Sequence, residues 1–101
     1  MELIEFDELL AERLKKINET LATKSEEYSS KTDRLHNFKT AARIKGESVP
    51  EALYGMWMKH LVSVEDLIKG RLPNERRYVD EKLGDAINYL ILLEAVFEDI
   101  R

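Results

Sequence analysis

The sequence predicts an all-α protein, a four-helix up-and-down bundle forming a single domain over residues 1–101. Three observations carry that prediction. Apolar residues recur every three or four positions over long stretches, which is the period of a helix face. Helix start and stop signals separate these stretches. The last stretch widens its apolar stripe almost to the full circumference, so it needs cover from other helices.

The first segment, residues 2–28, places Phe6, Leu10, Leu14, Ile17 and Leu21 on one stripe between mostly charged residues. At 1.5 Å per residue it would be about 40 Å long, and such a helix overhangs a body of this size unless something covers its end. Ser29, Ser30, Lys31 and Thr32 favour a turn. The second segment, residues 33–45, has Asp33 as its expected N-cap, Leu35, Phe38, Ala42 and Ile44 as inward candidates, and Gly46 as the left-handed residue that ends it.

The third segment has the clearest start. Ser48-Val49-Pro50-Glu51 reads as a capping box, with a proline where its missing N–H costs little. Leu53, Trp57, Leu61, Val64 and Ile68 follow at helical spacing, and Gly70 stops the run. The fourth segment, residues 74–101, carries Val79, Leu83, Ile87 and Leu90 on one stripe. Ile91, Leu92, Leu93, Ala95 and Val96 then extend it around the helix. One small chain can hardly cover both sides, so a homo-oligomer through this helix and the long first one is expected.

With 16 basic and 20 acidic residues and a net charge of −4, the chain is a poor general binder of nucleic-acid backbone, and no nucleic-acid duplex is expected as partner. There is no cysteine, which excludes disulfides, thiol catalysis and cysteine-ligated zinc. The acidic start MELIEFDELL lacks the order of a signal peptide. No apolar run approaches the ~20 residues of a membrane span. The expectation is a cytoplasmic protein with no membrane partner.

Several polar sets could carry chemistry. Between the first two helices, Lys24 and Arg34 are suited to phosphate, Tyr28 to stacking on a base, and Asn37 to reading a base edge. A polar helix–helix connection would account for the same residues. On the last helix Glu81, Asp85 and Asn88 share a face turned away from Leu83, Ile87 and Leu90. Oxygen ligands so aligned could hold Mg²⁺, and an ordinary solvated face explains them equally well. On the third helix Lys59, Ser63 and Asp66 share a face, and His60 falls on the apolar side beside Trp57 and Val64. A phosphate-binding glycine loop, a nucleophile elbow and an HExxH pair are all missing.

The stretch Asp80-Glu81-Lys82-Leu83-Gly84-Asp85-Ala86-Ile87-Asn88-Tyr89-Leu90 resembles the second metal-binding helix of the MazG-like all-α nucleotide pyrophosphohydrolases. Lys24-Ser25-Glu26-Glu27-Tyr28, Asp33-Arg34-Leu35-His36-Asn37-Phe38 and Gly55-Met56-Trp57-Met58-Lys59-His60-Leu61-Val62-Ser63 are similar to segments of small tailed-phage proteins. Those are grouped with the MazG-like and nucleotide-modification-associated helical domains. The resemblance spans about residues 24–98. It implies a helical oligomer that holds a nucleoside triphosphate over Mg²⁺ and hydrolyses it to monophosphate and pyrophosphate, in the host cytoplasm if phage-encoded. Asp85 matches the aspartate of the second motif, but Lys82 stands where a glutamate is expected, and the first pair of glutamates is not evident.

Three functional expectations result. The first is capture of a phosphorylated nucleotide, linear or cyclic, as an anti-defence sponge. Lys24, Arg34, Lys59 and His60 would meet phosphate, Tyr28 the base, and Asn37, Asp85 and Asn88 the polar edges. The second is a Mg²⁺-dependent pyrophosphohydrolase using Glu65, Asp66, Glu81 and Asp85. The third is a helical protein–protein interaction module. A lysine replacing a ligand carboxylate puts positive charge where a cation should sit, which favours the first.

Overall fold

A computed structural model describes the backbone of residues 1–28 and 33–101, and side chains outside residues 23–32. The described residues form four helices and no strand: α1 (Leu3–Tyr28), α2 (His36–Lys45), α3 (Val49–Ile68) and α4 (Arg76–Asp99). The all-α expectation therefore holds. The predicted turn over Ser29–Thr32 lies outside the described residues. Among the described residues, no helix is long and apolar enough to cross a membrane.

Local chemistry sets the helix ends. Ser48 Oγ accepts from the Glu51 N–H (3.2 Å), while Glu51 Oε1 accepts from the Ser48 N–H (3.0 Å), so the predicted capping box is formed. Gly46 adopts φ 70°, and Gly70 φ 75°, the left-handed conformation that stops a helix cheaply. Asp33 differs from its expected role. The helix starts three residues later, at His36, with Leu35 in the capping position. Asp33 instead closes a turn: Oδ1 accepts from the Leu35 N–H (2.9 Å) and Oδ2 from Lys39 Nζ (2.8 Å). Those two bonds, the lysine's first, hold its carboxyl below the usual carboxylate range.

The core lies where α2, α3 and α4 meet. Leu35, Phe38, Leu53 and Val96 form it, with Leu53 and Val96 fully enclosed, and Trp57, Tyr89 and Leu92 pack around them. Ile44 departs from its predicted inward place and is exposed. Leu35, Phe38 and Ala42 share one face of the turn and helix, and Ile44 lies two residues, about 200°, past Ala42.

Helices α3 and α4 form an antiparallel hairpin, in which His60 meets Asp85. α1 packs chiefly on α4. Arg13 meets Asp80, and Thr20 borders the same cavities as Asn88, so α1 and α4 run in the same direction. Strict up-and-down alternation would make them antiparallel, and the bundle departs from the expectation there. The consequence is an overhang. Residues 3–12 of α1 are all exposed, and the predicted stripe Phe6, Leu10 and Leu14 becomes buried only at Ile17, where α4 begins to cover it.

Helix α4 presents two different faces. Within one chain Leu83, Leu90, Ile91 and Phe97 are exposed, while Gly84, Asn88 and Val96 are buried. The polar face with Asp85 and Asn88 is thus the one turned toward α1 and α3.

Candidate functional site

That polar face borders a cavity of about 570 Å³ between the helices, within the usual size range of small-ligand sites. α1 contributes Thr20 and Leu21. The turn before α2 supplies Arg34, and α2 itself Asn37 and Phe38. Gly55, Met56, Lys59 and His60 come from α3, and Asp85, Asn88, Tyr89 and Leu92 from α4. Of the predicted ligand-binding residues, Arg34, Asn37, Lys59, His60, Asp85 and Asn88 are therefore gathered in one place. The side chains of Lys24 and Tyr28 lie outside the described residues.

The electrostatics are lopsided. Arg34 and Lys59 make no ion pair with any described residue, although most other described cations have a carboxylate within 4 Å. Asp85 Oδ2 stands 3.6 Å from His60 Nδ1, too long for a good hydrogen bond and an ion pair only when the imidazole is protonated. The His60 ring lies 4.8 Å from that of Tyr89, and Phe38 meets Tyr89 edge to face at 6.3 Å. These rings form an apolar wall beside the charged rim.

Asn88 is the one polar residue in the buried set, at 9% exposure, and its Oδ1 has no hydrogen-bond donor among the described residues. An unmade hydrogen bond at a buried carbonyl costs about 1–3 kcal/mol. Sequence reasoning set Asn88 on a polar face and among the groups that would meet the ligand; the missing donor at Oδ1 is visible only in the structure.

A second concavity, about 310 Å³, lies on the other side of Asn88 and is bounded by Arg13, Lys16, Asp80 and Glu81. Here the charges are neutralised. Asp80 accepts from Arg13 Nη2 (2.6 Å) and Lys16 Nζ (2.9 Å), and Arg76 stands 3.6 Å away. The Lys16 hydrogen bond first, and then the charges of Arg13 and Lys16, hold the Asp80 carboxyl below its ordinary range. Gly84 makes room for the clamp, because a Cβ there would lie 2.7 Å from Arg13 Nη1. The sequence reading missed this cluster. Its partners are 64 and 67 positions apart, and no local spacing announces them.

The carboxylates expected to hold Mg²⁺ are not brought together. Glu65 and Asp66 both reach Arg71, at 3.6 and 3.3 Å, near the end of α3. Glu81 pairs with Lys82 at 3.2 Å, and Asp85 faces His60. Among the described residues no group of three His, Asp or Glu side chains is placed to hold a metal ion. The residues present thus do not fit the magnesium site that the resemblance implies.

Searches against protein-family models, characterised proteins and solved structures found nothing that matches this chain. The functional reading therefore rests on the site itself.

Proposed function

We propose that this chain binds a small phosphorylated nucleotide in the cavity between its helices and holds it without cutting it. The observation that carries the reading is a cavity lined by two cations and one buried amide oxygen that have no partner among the described residues, together with a row of aromatic rings. Phosphate would pair with Arg34 and Lys59, the base would lie against the rings, and Asn37 and Asn88 would meet its polar edge. The scattered carboxylates favour capture over metal-assisted hydrolysis. In a phage-encoded protein such capture would serve to sequester a signalling nucleotide of host defence. Self-association through the exposed apolar faces of α1 and α4 belongs to the same proposal, because it would cover them.

The test is a thermal-shift and calorimetry panel of linear nucleoside mono-, di- and triphosphates and cyclic mono- and dinucleotides, with product chromatography. A true ligand at a hundred times its Kd should stabilise the fold by about 2.7 kcal/mol, which raises Tm by roughly 10–20 °C. It should be recovered intact after denaturation. Arg34→Ala and Lys59→Ala should each weaken binding by roughly ten- to hundredfold, the range for a charge-assisted hydrogen bond. Absence of any shift across the panel rejects the reading, and release of pyrophosphate rejects capture in favour of hydrolysis.

A further inference from the structure

Helix α3 carries a glycine in its interior, at Gly55, for which the described residues supply no reason. Interior glycine weakens a helix, because the unfolded chain has more freedom to lose there. Its backbone is not left-handed, unlike that of Gly46 and Gly70. Nor does packing demand it. Among the described residues, a Cβ at Gly55 would meet only Lys45 Nζ, at an ordinary 3.5 Å. Gly84 shows the contrast, since a Cβ there runs into Arg13 at 2.7 Å.

The position of Gly55 supplies what packing does not. It lies in the wall of the large cavity and is exposed. Lys59 follows one helical turn later on the same face. Lys45 hangs over it from the end of α2; among the described residues it is held only by a loose 3.5 Å pairing with Glu47, whose Oε1 makes no hydrogen bond there. A bare patch of helix therefore sits between two ammonium groups, with the Arg34 guanidinium lining the same cavity.

We infer that Gly55 and Lys45 belong to the phosphate subsite: the missing side chain lets a phosphate of the nucleotide come against α3 between Lys45 and Lys59. This inference rests on the nucleotide-binding reading and adds to it where the anion lies. Lys45 exchanges its weak contact with Glu47 for the phosphate, and the absent Cβ sets how closely the oxygens approach.

The test uses the full chain, the panel nucleotide with the largest thermal shift, and inorganic pyrophosphate as a probe of the anion subsite alone. Gly55→Ala should melt roughly 2–8 °C higher, from the gain in helix propensity. It should also bind both probes about tenfold more weakly, the effect of a methyl group in a close-approach position. Gly55→Leu should lose binding outright, and if it fails to fold, Gly55→Ala decides. Lys45→Gln should weaken both probes about tenfold while leaving Tm in place. A more stable Gly55→Ala with unchanged affinities overturns the inference and leaves the nucleotide reading standing. Loss of nucleotide affinity with pyrophosphate affinity intact overturns it too, by putting the base at Gly55. A wild-type chain that binds neither probe rejects the underlying reading and this inference with it.

Discussion

Asp80→Asn should loosen α1 from the rest of the protein. The substitution keeps the shape of the side chain and removes its charge. Asp80 accepts hydrogen bonds from Arg13 at 2.6 Å and Lys16 at 2.9 Å, with side-chain exposures of 28% for the acid and 17% and 33% for its partners. Fully buried charge-assisted bonds are worth about 1.5–3 kcal/mol each and exposed pairs about 0.2–1 kcal/mol. With the carboxylate still partly wetted, and one neutral bond retained by the amide, a loss of about 1–2 kcal/mol is expected. At about 4–8 °C per kcal/mol for a chain of this size, Tm should fall by roughly 4–16 °C.

The loss should also be local. Among the described side chains of α1, little besides Ile17 and this clamp holds it on α4, so hydrogen exchange over residues 13–21 should quicken more than over α3. A double-mutant cycle with Arg13→Gln should give a coupling of about 1 kcal/mol. The pH dependence has a fixed sign. The Asp80 carboxyl is depressed in the folded state, so its stabilisation is present above the unfolded pKa of about 3.9 and is lost as pH falls through the folded value. Asp80→Asn should flatten that part of the acid-denaturation curve. A coupling below about 0.3 kcal/mol with unchanged α1 exchange would refute the clamp. Because Thr20 and Leu21 line the cavity, a working clamp also predicts weaker nucleotide binding in the variant, in proportion to the undocked fraction.

Two further outcomes are expected. Asn88→Leu removes a buried carbonyl that has no donor, so urea denaturation should show stability unchanged or raised by about 1–2 kcal/mol while nucleotide affinity falls; destabilisation by more than 1 kcal/mol would mean that the amide is satisfied within the chain. Leu53→Ala, at a fully enclosed position facing Val96, should lower the urea midpoint by the equivalent of about 2–5 kcal/mol, and a loss under 1 kcal/mol would show that the core is not centred there.

What the sequence by itself determined is local. The helical period of the apolar residues, the Ser48–Glu51 box and the glycines at 46 and 70 specify four helices, because each depends on residues within one or two turns of each other. The identity of several polar residues at the site was legible for the same reason: Asp85 and Asn88 share a face through their spacing, as do Lys59 and Asp66. How much of each face one chain covers was not legible. Leu83 and Leu90 were assigned to the bundle and oligomer by their hydrophobicity, and within one chain α4 turns Gly84 and Asn88 to its neighbours and leaves those leucines exposed. The hydrophobic effect rewards buried area without regard to direction, so a helix apolar on most sides has several nearly equal ways to pack. The choice falls to contacts between residues distant in the chain. The Asp80 clamp with Arg13 and Lys16 joins α1 to α4 in parallel, and the packing of all four helices brings Arg34, Lys59 and Asn88 around one cavity, while Glu65, Asp66 and Glu81 pair with their sequence neighbours Arg71 and Lys82. Tertiary structure thus decided which polar residues act together.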